Sequence, residues 1–596
     1  MSKSLLTVFV FLFSTIVTAQ TKTLPEKLKG LDEYMAKTLK DWNTPGAGVA
    51  VVKNGQVIWM KGYGYRDYDK KLPVTSTTLF QIASNTKLFT ATAVGMLVEQ
   101  GKLEWDKPVK SFVPSIKFYN NELDNTVTIR DMLSHRTGIS RHDLIWYKSD
   151  FTRAQLFEKL KYLEPSQPIR QSFLYNNLMY AASGQIIELL TQKKWEAYLQ
   201  ENILNPLNMK STVFSIADMR RNPDHFVPYN ERRDTSLLYQ VPWLEDTDGL
   251  GPAGSLISNL EDMSHWLIAQ MNSGMYNGKA VIPNSVIKAT LEPSIPEFNG
   301  SLAKGYTEML NPVYGMGRGT VSYRGHLLAD HGGDLTGIHS QISFMPQDSL
   351  GVIVFVIGDQ GQPLYNIISY NIYERLLGMS LTPWSERRLA EMKKGKQAGR
   401  EGRKAAGIGQ VKGTKPSHPL DDYLGDFAND TYGTIHITKH GSDSMQFAFH
   451  DISLPMGHFH YDRFDTPNDE VDGLFSINYR TSPQGEVDGF DISLDEGNAV
   501  FNRVADASLS TLATLNNYTG KYQIGSTIIE VVVKNDNKLF AVIPGTPQLE
   551  LIPYKARVFK SKDYPDLILE FMITDGKVTA MKQKDPSGEY VIKRMQ

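Results

Sequence analysis

Ser84-Asn85-Thr86-Lys87 sets a hydroxyl and an amine three residues apart. On a helix turn that spacing brings the lysine back to the serine, and a helix N-terminus beneath them favours developing negative charge. The chemistry this suggests is nucleophilic: an oxygen attacks a carbonyl once a nearby base has activated it. Spacing alone is weak evidence, because Ser285-Val286-Ile287-Lys288 and Ser301-Leu302-Ala303-Lys304 repeat it. Context separates the three, since only Ser84 opens a run of apolar and small residues, Leu88 to Val98, that can be buried as a helix. The 596-residue chain has no Cys, so thiol nucleophiles, thiolate metal sites and disulfides are excluded. H-E-x-x-H is absent as well. His450, His458 and His460 have the spacing of one strand face, but no carboxylate accompanies them and they read as ordinary β-surface histidines. No metal and no organic cofactor is expected.

Such a pair needs a scaffold to fix it. Leu28, Leu31, Met35, Leu39 and Trp42 recur every three or four residues, which predicts an amphipathic helix from Pro25 to Trp42. Ala47–Lys53 and Gln56–Met60 flank Asn54-Gly55, the signal of a type I′ hairpin, so an antiparallel sheet begins directly afterwards. Further helices are expected from Ser84 to Gln100 and from Asn177 to Gln200. Late strands fall at Ala329–Asp330, Ser340–Met345 and Val352–Ile357.

Ser84-Asn85-Thr86-Lys87, Tyr175-Asn176-Asn177 and His331-Gly332-Gly333, taken in order, resemble the three active-site motifs of class C β-lactamase-like serine hydrolases. That group includes D-alanyl-D-alanine carboxypeptidases, D-aminopeptidases and related esterases. Met132–Ile139, Tyr180–Met209 and Gly251–Leu256 ahead of Leu260–Leu267 resemble other segments of the family, over about residues 30–378. The resemblance implies an acyl-enzyme on Ser84, with Lys87 or Tyr175 as its base. A lysine titrates near 10.4 and a tyrosine near 10, so either must be shifted to accept a proton at neutral pH. Asn177 would orient Lys87 or the substrate amide. The backbone N–H groups of Ser84 and Asp334 would form an oxyanion hole, and Gly332, Gly333 and Asp334 would line the substrate. His331 departs from the Lys of the β-lactamases. An ordinary histidine is only partly charged near neutrality, so attraction for a substrate carboxylate should be weak and pH-dependent, and β-lactamase activity is disfavoured.

The fold implied is an α/β (α+β) β-lactamase/transpeptidase-like domain with a central antiparallel sheet flanked by helices, followed by two small all-β lipocalin-like modules. Lys3 and the apolar run Leu5–Phe13 read as a secretory signal, residues 1–19, cleaved after Ala19, so the protein is expected to be exported, periplasmic or secreted. No stretch reaches transmembrane length, so no stable membrane span is expected after cleavage. The hydrolase domain would occupy 20–382. From Arg387 to Lys415 there are ten Lys/Arg and two acidic residues, which marks 383–416 as a basic linker helix or spacer. Leu420–Phe427 then parallels Leu515–Tyr522, which predicts a repeated β module at 417–505 and 512–596. A net charge of −2 gives no reason to expect nucleic acid. The partner expected is a small-molecule or peptide substrate, and the resemblance implies hydrolysis of peptide, amide or ester bonds, foremost by a D-amino-acid-type peptidase or carboxypeptidase, with an esterase of the same family as the alternative. The alternative from another class is a catalytically silent binding protein that keeps the fold. The sequence leaves the oligomeric state open.

Overall fold

The computed structural model describes residues 26–595 except 246–248, 298–305, 360, 405–408, 484, 495, 506, 535–536 and 565. The signal expected at 1–19 and the pair Ser301 and Lys304 lie outside the described residues. The chain divides into two compact units, residues 1–406 and 407–596.

In the first unit, α1 (Leu31–Asp41) leads into β1 (Gly46–Lys53) and β2 (Gln56–Asp67). Asn54 and Gly55 both take positive φ, 50° and 73°, as a type I′ turn requires. The helix expected from Pro25 to Trp42, whose first residue lies outside the described residues, is interrupted: Glu26 and Lys27 are helical, a turn follows, and α1 begins after Gly30, whose φ of 84° breaks the helical path. The apolar stripe survives the break, and Leu28, Leu31, Met35, Leu39 and Trp42 are all buried. Short β3 (Leu72–Pro73) is followed by α2 (Thr86–Glu99), α3 (Asn177–Thr191) and α4 (Leu260–Met271). The third expected helix stops early because Gln192 turns left-handed, φ 58°; a separate helix, Trp195–Leu199, follows. Strands β4 (Ile295–Pro296), β5 (Met309–Tyr314), β6 (Gly319–Tyr323), β7 (His326–Leu335), β8 (Ile338–Met345) and β9 (Leu350–Ile357) complete an antiparallel sheet of order β4-β5-β6-β7-β8-β9-β1-β2-β3. β8 and β9 are buried along their whole length, because helices cover both faces. Leu260 of α4 packs against Gly48 on one face. On the other, α1 and α5 (Gly361–Leu377) share a core with Val49, Val352 and Val354.

The basic stretch expected as a linker from 383 divides differently. Trp384–Lys404 forms a helix, α6, that stays with the first unit. Its anchor is Trp384, 2% exposed, whose Nε1 donates to Tyr323 Oη at 3.0 Å, while Trp42 Nε1 donates to Ser385 Oγ at 2.9 Å. Lys396 pairs with Glu231, and Arg387 with Glu308.

The second unit holds two closed eight-stranded antiparallel barrels, running from Gly425–Asn429 to Gly497–Val504 and from Gly520–Ile524 to Gly588–Arg594. Each closes in the same way. Phe427 pairs with Arg503 and Tyr522 with Arg594, and each arginine reaches back to carbonyls ahead of the first strand: Arg503 to Leu424 O, Arg594 to Thr519 O. Tyr554 Oη donates to Val487 O at 2.9 Å and Lys555 pairs with Glu486, so the barrels share one contact surface. His458 and His460 bond to the backbone of Tyr461 and Val411.

Candidate active site

Ser84 sits in a tight 3₁₀ turn, Ala83–Asn85, that runs straight into α2. Ala83 holds φ at 48°, a conformation a residue with a Cβ adopts only when its surroundings enforce it. They do so here through a buried chain: Asn85 Nδ2 donates to Ser340 Oγ at 2.8 Å, and Ser340 Oγ donates to Ile82 O at 2.7 Å. Gly333 completes the clamp. A Cβ there would fall 2.3 Å from Ile82 O and 2.5 Å from Ser340 Oγ, so only glycine lets β7 lie against the serine turn.

Lys87 lies one turn along α2, fully buried. Its Nζ is 2.9 Å from Ser84 Oγ, 2.7 Å from Asn177 Oδ1 and 2.9 Å from Ala253 O. Burial holds the amine well below its ordinary value, and the nearby Arg141 charge adds to the shift. Asn177 is the first residue of α3, capped by the Asn176 side chain, which accepts from Met179 N. Its Nδ2 donates to Asp143 Oδ1 at 3.0 Å, which fixes the amide so that Oδ1 faces Lys87. Ala253 belongs to the turn Gly251–Gly254, packed so closely on α3 that a Cβ at Gly184 would meet Pro252 at 2.1 Å.

Tyr175 precedes the α3 cap, and its hydroxyl is hydrogen-bonded to Ser84. Burial pushes that hydroxyl upward, so it remains a phenol at neutral pH. Beneath it lies the buried His135, ring centroids 4.3 Å apart. His135 Nδ1 accepts from Asn176 N–H, which places the ring proton on Nε2, and burial keeps the imidazole neutral.

His331 differs from expectation. Rather than titrating near neutrality, it is half-buried in the cavity wall beside Lys87, and desolvation there pulls it down to about 4. Its Nε2 lies 2.9 Å from Tyr314 Oη and its Nδ1 2.6 Å from Gly332 O. It is therefore a neutral, fixed member of the wall.

β7 pairs with β6 only as far as Asp330, whereas residues 331–335 pair with β8 alone. That half-strand leaves an open edge on a cavity of about 490 Å³ lined by Ser84, Tyr175, Asn177, His331, Gly332 and Asp334 among others. Lys87 and Gly333 lie behind this lining. Ser285 and Lys288, by contrast, are exposed on a helix of their own.

Arg141, Asp143 and Trp146 also line the cavity, and sequence reasoning missed them. Arg141 Nε donates to Asp143 Oδ2 at 2.7 Å, and Trp146 Nε1 to Asp143 Oδ1 at 2.8 Å. The only signal was their place just after the family-like segment Met132–Ile139. No spacing marked them as cleft residues.

The Beta-lactamase family model matches residues 31–375. The chain belongs to that family. Residues 409–503 match a domain of unknown function, DUF3471. Protein flp of Staphylococcus aureus (strain MW2) is 29% identical over 333 residues, 54% of this chain and 62% of that protein. Unguisins hydrolase ungD' of Aspergillus campestris (strain IBT 28561) is 30% identical over 346 residues, 54% of this chain and 60% of that protein. The chain thus spans less than two thirds of the length of these relatives. An octameric penicillin-binding protein homologue from Pyrococcus abyssi aligns over 80% of this chain and 100% of its own, with TM-score 0.53 and 20% identity, a likeness of fold. The β-lactamase/transpeptidase fold, followed by barrels of lipocalin-like construction, agrees with the expectation from sequence.

Proposed function

We propose that the chain is an exported serine hydrolase that transfers the acyl group of a peptide or amide donor, of D-amino-acid type, to Ser84 and then to water. One observation carries the reading: the three contacts of Lys87 Nζ. A neutral amine has two N–H groups and one lone pair. Asn177 Oδ1 and Ala253 O can only accept, so they take the two N–H groups and leave the lone pair facing the Ser84 O–H. Burial supplies the neutral amine. Lys87 is therefore the base, in preference to Tyr175, whose phenol is shifted the other way.

In acylation the Ser84 proton passes to Lys87 Nζ as Oγ bonds to the carbonyl carbon. The Ser84 and Asp334 N–H groups hold the oxyanion. When the C–N bond breaks, the leaving nitrogen takes a proton from the Tyr175 hydroxyl, and the Lys87 ammonium, whose Nζ lies 4.8 Å from the Tyr175 ring centroid, returns a proton to the phenolate. Water repeats the sequence in reverse to release the acid. The neutral His331 and the Asp143-paired Arg141 offer little to a β-lactam carboxylate, which supports amide or peptide donors over β-lactams.

The test is labelling by a neutral fluorophosphonate, read by mass spectrometry. A stoichiometric adduct on Ser84, absent in Ser84→Ala, supports the reading. A correctly folded chain that takes no label would be a binding protein on this fold.

A further inference from the structure

Successive residues of β7 face opposite ways, and two glycines show which way. A Cβ on Gly333 would strike Ile82 O in the serine turn, whereas one on Gly332 would lie 2.3 Å from Tyr365 Oη on α5. His331 therefore shares the catalytic face with Gly333, and Asp330 and Asp334 share the α5 face with Gly332. The cavity wraps the open edge and takes lining from both faces, including Asp330, Asp334, Tyr365 and Glu297. Glu297 reaches over Gly319, the residue paired with Asp330: a Cβ on Gly319 would meet its Oε1 at 2.5 Å.

Three carboxyl groups thus gather beyond the catalytic face, and among the described residues no Lys or Arg forms an ion pair with them. Asp330 Oδ2 accepts from Gln341 Nε2 at 3.1 Å, and Asp334 Oδ1 lies 2.6 Å from His339 Nδ1, opposite it on β8. The cavity's one lining arginine, Arg141, is engaged by Asp143. Burial, with mutual repulsion, pushes Glu297 up to about 7, and burial pushes Asp330 to about 6, the expected result for carboxyls with no cation beside them. Independently, Tyr365 is 5% exposed and lines the cavity, yet its hydroxyl forms no hydrogen bond among the described residues. That hydroxyl opens into the cavity, where a ligand or water can satisfy it.

We propose that this compartment, Glu297, Asp330, Asp334 and the Tyr365 hydroxyl, is a subsite for a primary ammonium group carried by the acyl donor. An ammonium brings three N–H donors and a positive charge to Glu297 and Asp330, two carboxyl groups that no Lys or Arg among the described residues pairs with, while His339 takes up part of Asp334. The inference deepens the acyl-transfer reading above by naming the charge of its substrate.

Binding to the full-length Ser84→Ala chain tests it without turnover. Calorimetry compares two matched pairs: an amino-acyl p-nitroanilide with its N-acetyl form, and a neutral acyl amide with an aminoethyl leaving group with its N-acetyl form. In the pair whose amine reaches the subsite, the ammonium form binds at least about 10-fold tighter, and Glu297→Gln and Tyr365→Phe each cut that ratio about threefold or more. The pair that responds tells whether the ammonium lies on the acyl or the leaving side. Equal binding within both pairs, or a preference that both variants leave unchanged, overturns the subsite. Fluorophosphonate labelling of the wild-type chain reports the Ser84 reading separately, so failure of one is not failure of the other.

Discussion

Lys87 is buried without a carboxylate partner; its contacts are a hydroxyl, an amide oxygen and a backbone carbonyl. Lys87→Ala should lower turnover by about 10² or more while Ser84 remains present, the usual scale for a general base. Because burial lowers its value, kcat/KM should rise with pH as Lys87 loses its proton, and level off below the ordinary lysine range. Tyr175→Phe should cost a similar factor and leave the position of that rise unchanged; a shifted rise would make Tyr175 the group being titrated. His331 gives a contrasting pH prediction. Lowered to about 4, it is uncharged at both pH 6 and pH 8, so kcat/KM for a carboxylate donor relative to its methyl ester should change less than about twofold between them on its account. A severalfold loss of carboxylate preference from pH 6 to 8 that persists in Glu297→Gln and Asp330→Asn, which remove the two carboxyls titrating in that range, would mean that His331 titrates in the ordinary range. Ser84, Lys87, Tyr175 and His331 were legible because each stands in a local motif. The Arg141–Asp143 pair was not, since nothing within a few residues reveals that a loop folds over a cleft, and the sequence gives His331 no burial and hence no pKa.

At the scale of elements, the site depends on a few close approaches. Gly333→Ala would drive a methyl into Ile82 O and Ser340 Oγ, so the serine turn must shift. We expect at least about a 10²-fold loss of activity, since a displacement near 1 Å in a reacting group has that effect; wild-type turnover in this variant would show that the turn and β7 are not in register. The short helix Ile129–Leu133 offers a stability test. Thr128 and Asp131 form its capping box, and buried Asp131 also binds Arg136 and Arg170, which hold its carboxyl below the usual range despite burial. A depressed carboxylate contributes stability that is present above its unfolded value of about 3.9 and lost as pH falls through its folded value. Asp131→Asn should therefore cost about 3 kcal/mol at pH 7 in chemical denaturation, and less as the pH approaches 3. An equal cost at both pH values would assign the effect to packing. Hairpin and strand positions were readable from Asn54-Gly55 and from apolar runs. Helix ends were harder, because Gly30 and Gln192 turn left-handed within apolar stripes that continue past them.

Over the whole molecule, the same kind of failure moved a boundary. Charge and low apolar content made residues 383–416 read as a basic linker helix or spacer; the helix is there as α6, but Trp384 pins it to the hydrolase unit through Tyr323, and Glu374 accepts from both Tyr323 and Thr382. One buried indole outweighs many solvated lysines, and a composition window averages it away. The paired barrels were legible because Leu420–Phe427 and Leu515–Tyr522 repeat, down to the arginine that closes each barrel. The two possible cut points therefore predict different behaviour. A chain ending at Leu381 loses Trp384, which covers the ring of Tyr323, and Ser385, which accepts from the indole of buried Trp42. Loss of a large core aromatic costs about 3–5 kcal/mol, a substantial part of a domain's total stability. A chain ending at Ala406 keeps the whole first unit, including every cavity residue named above, and each compact unit carries its own core. Thermal melts should show the longer truncation unfolding cooperatively within a few degrees of the hydrolase transition in the full chain, with fluorophosphonate labelling of Ser84 intact. The shorter one should melt at least about 10 °C lower or aggregate. Equal melting of the two would mean that α6 adds nothing to the hydrolase core. A stable longer truncation that takes no label would mean that the second unit contributes directly to the catalytic cleft.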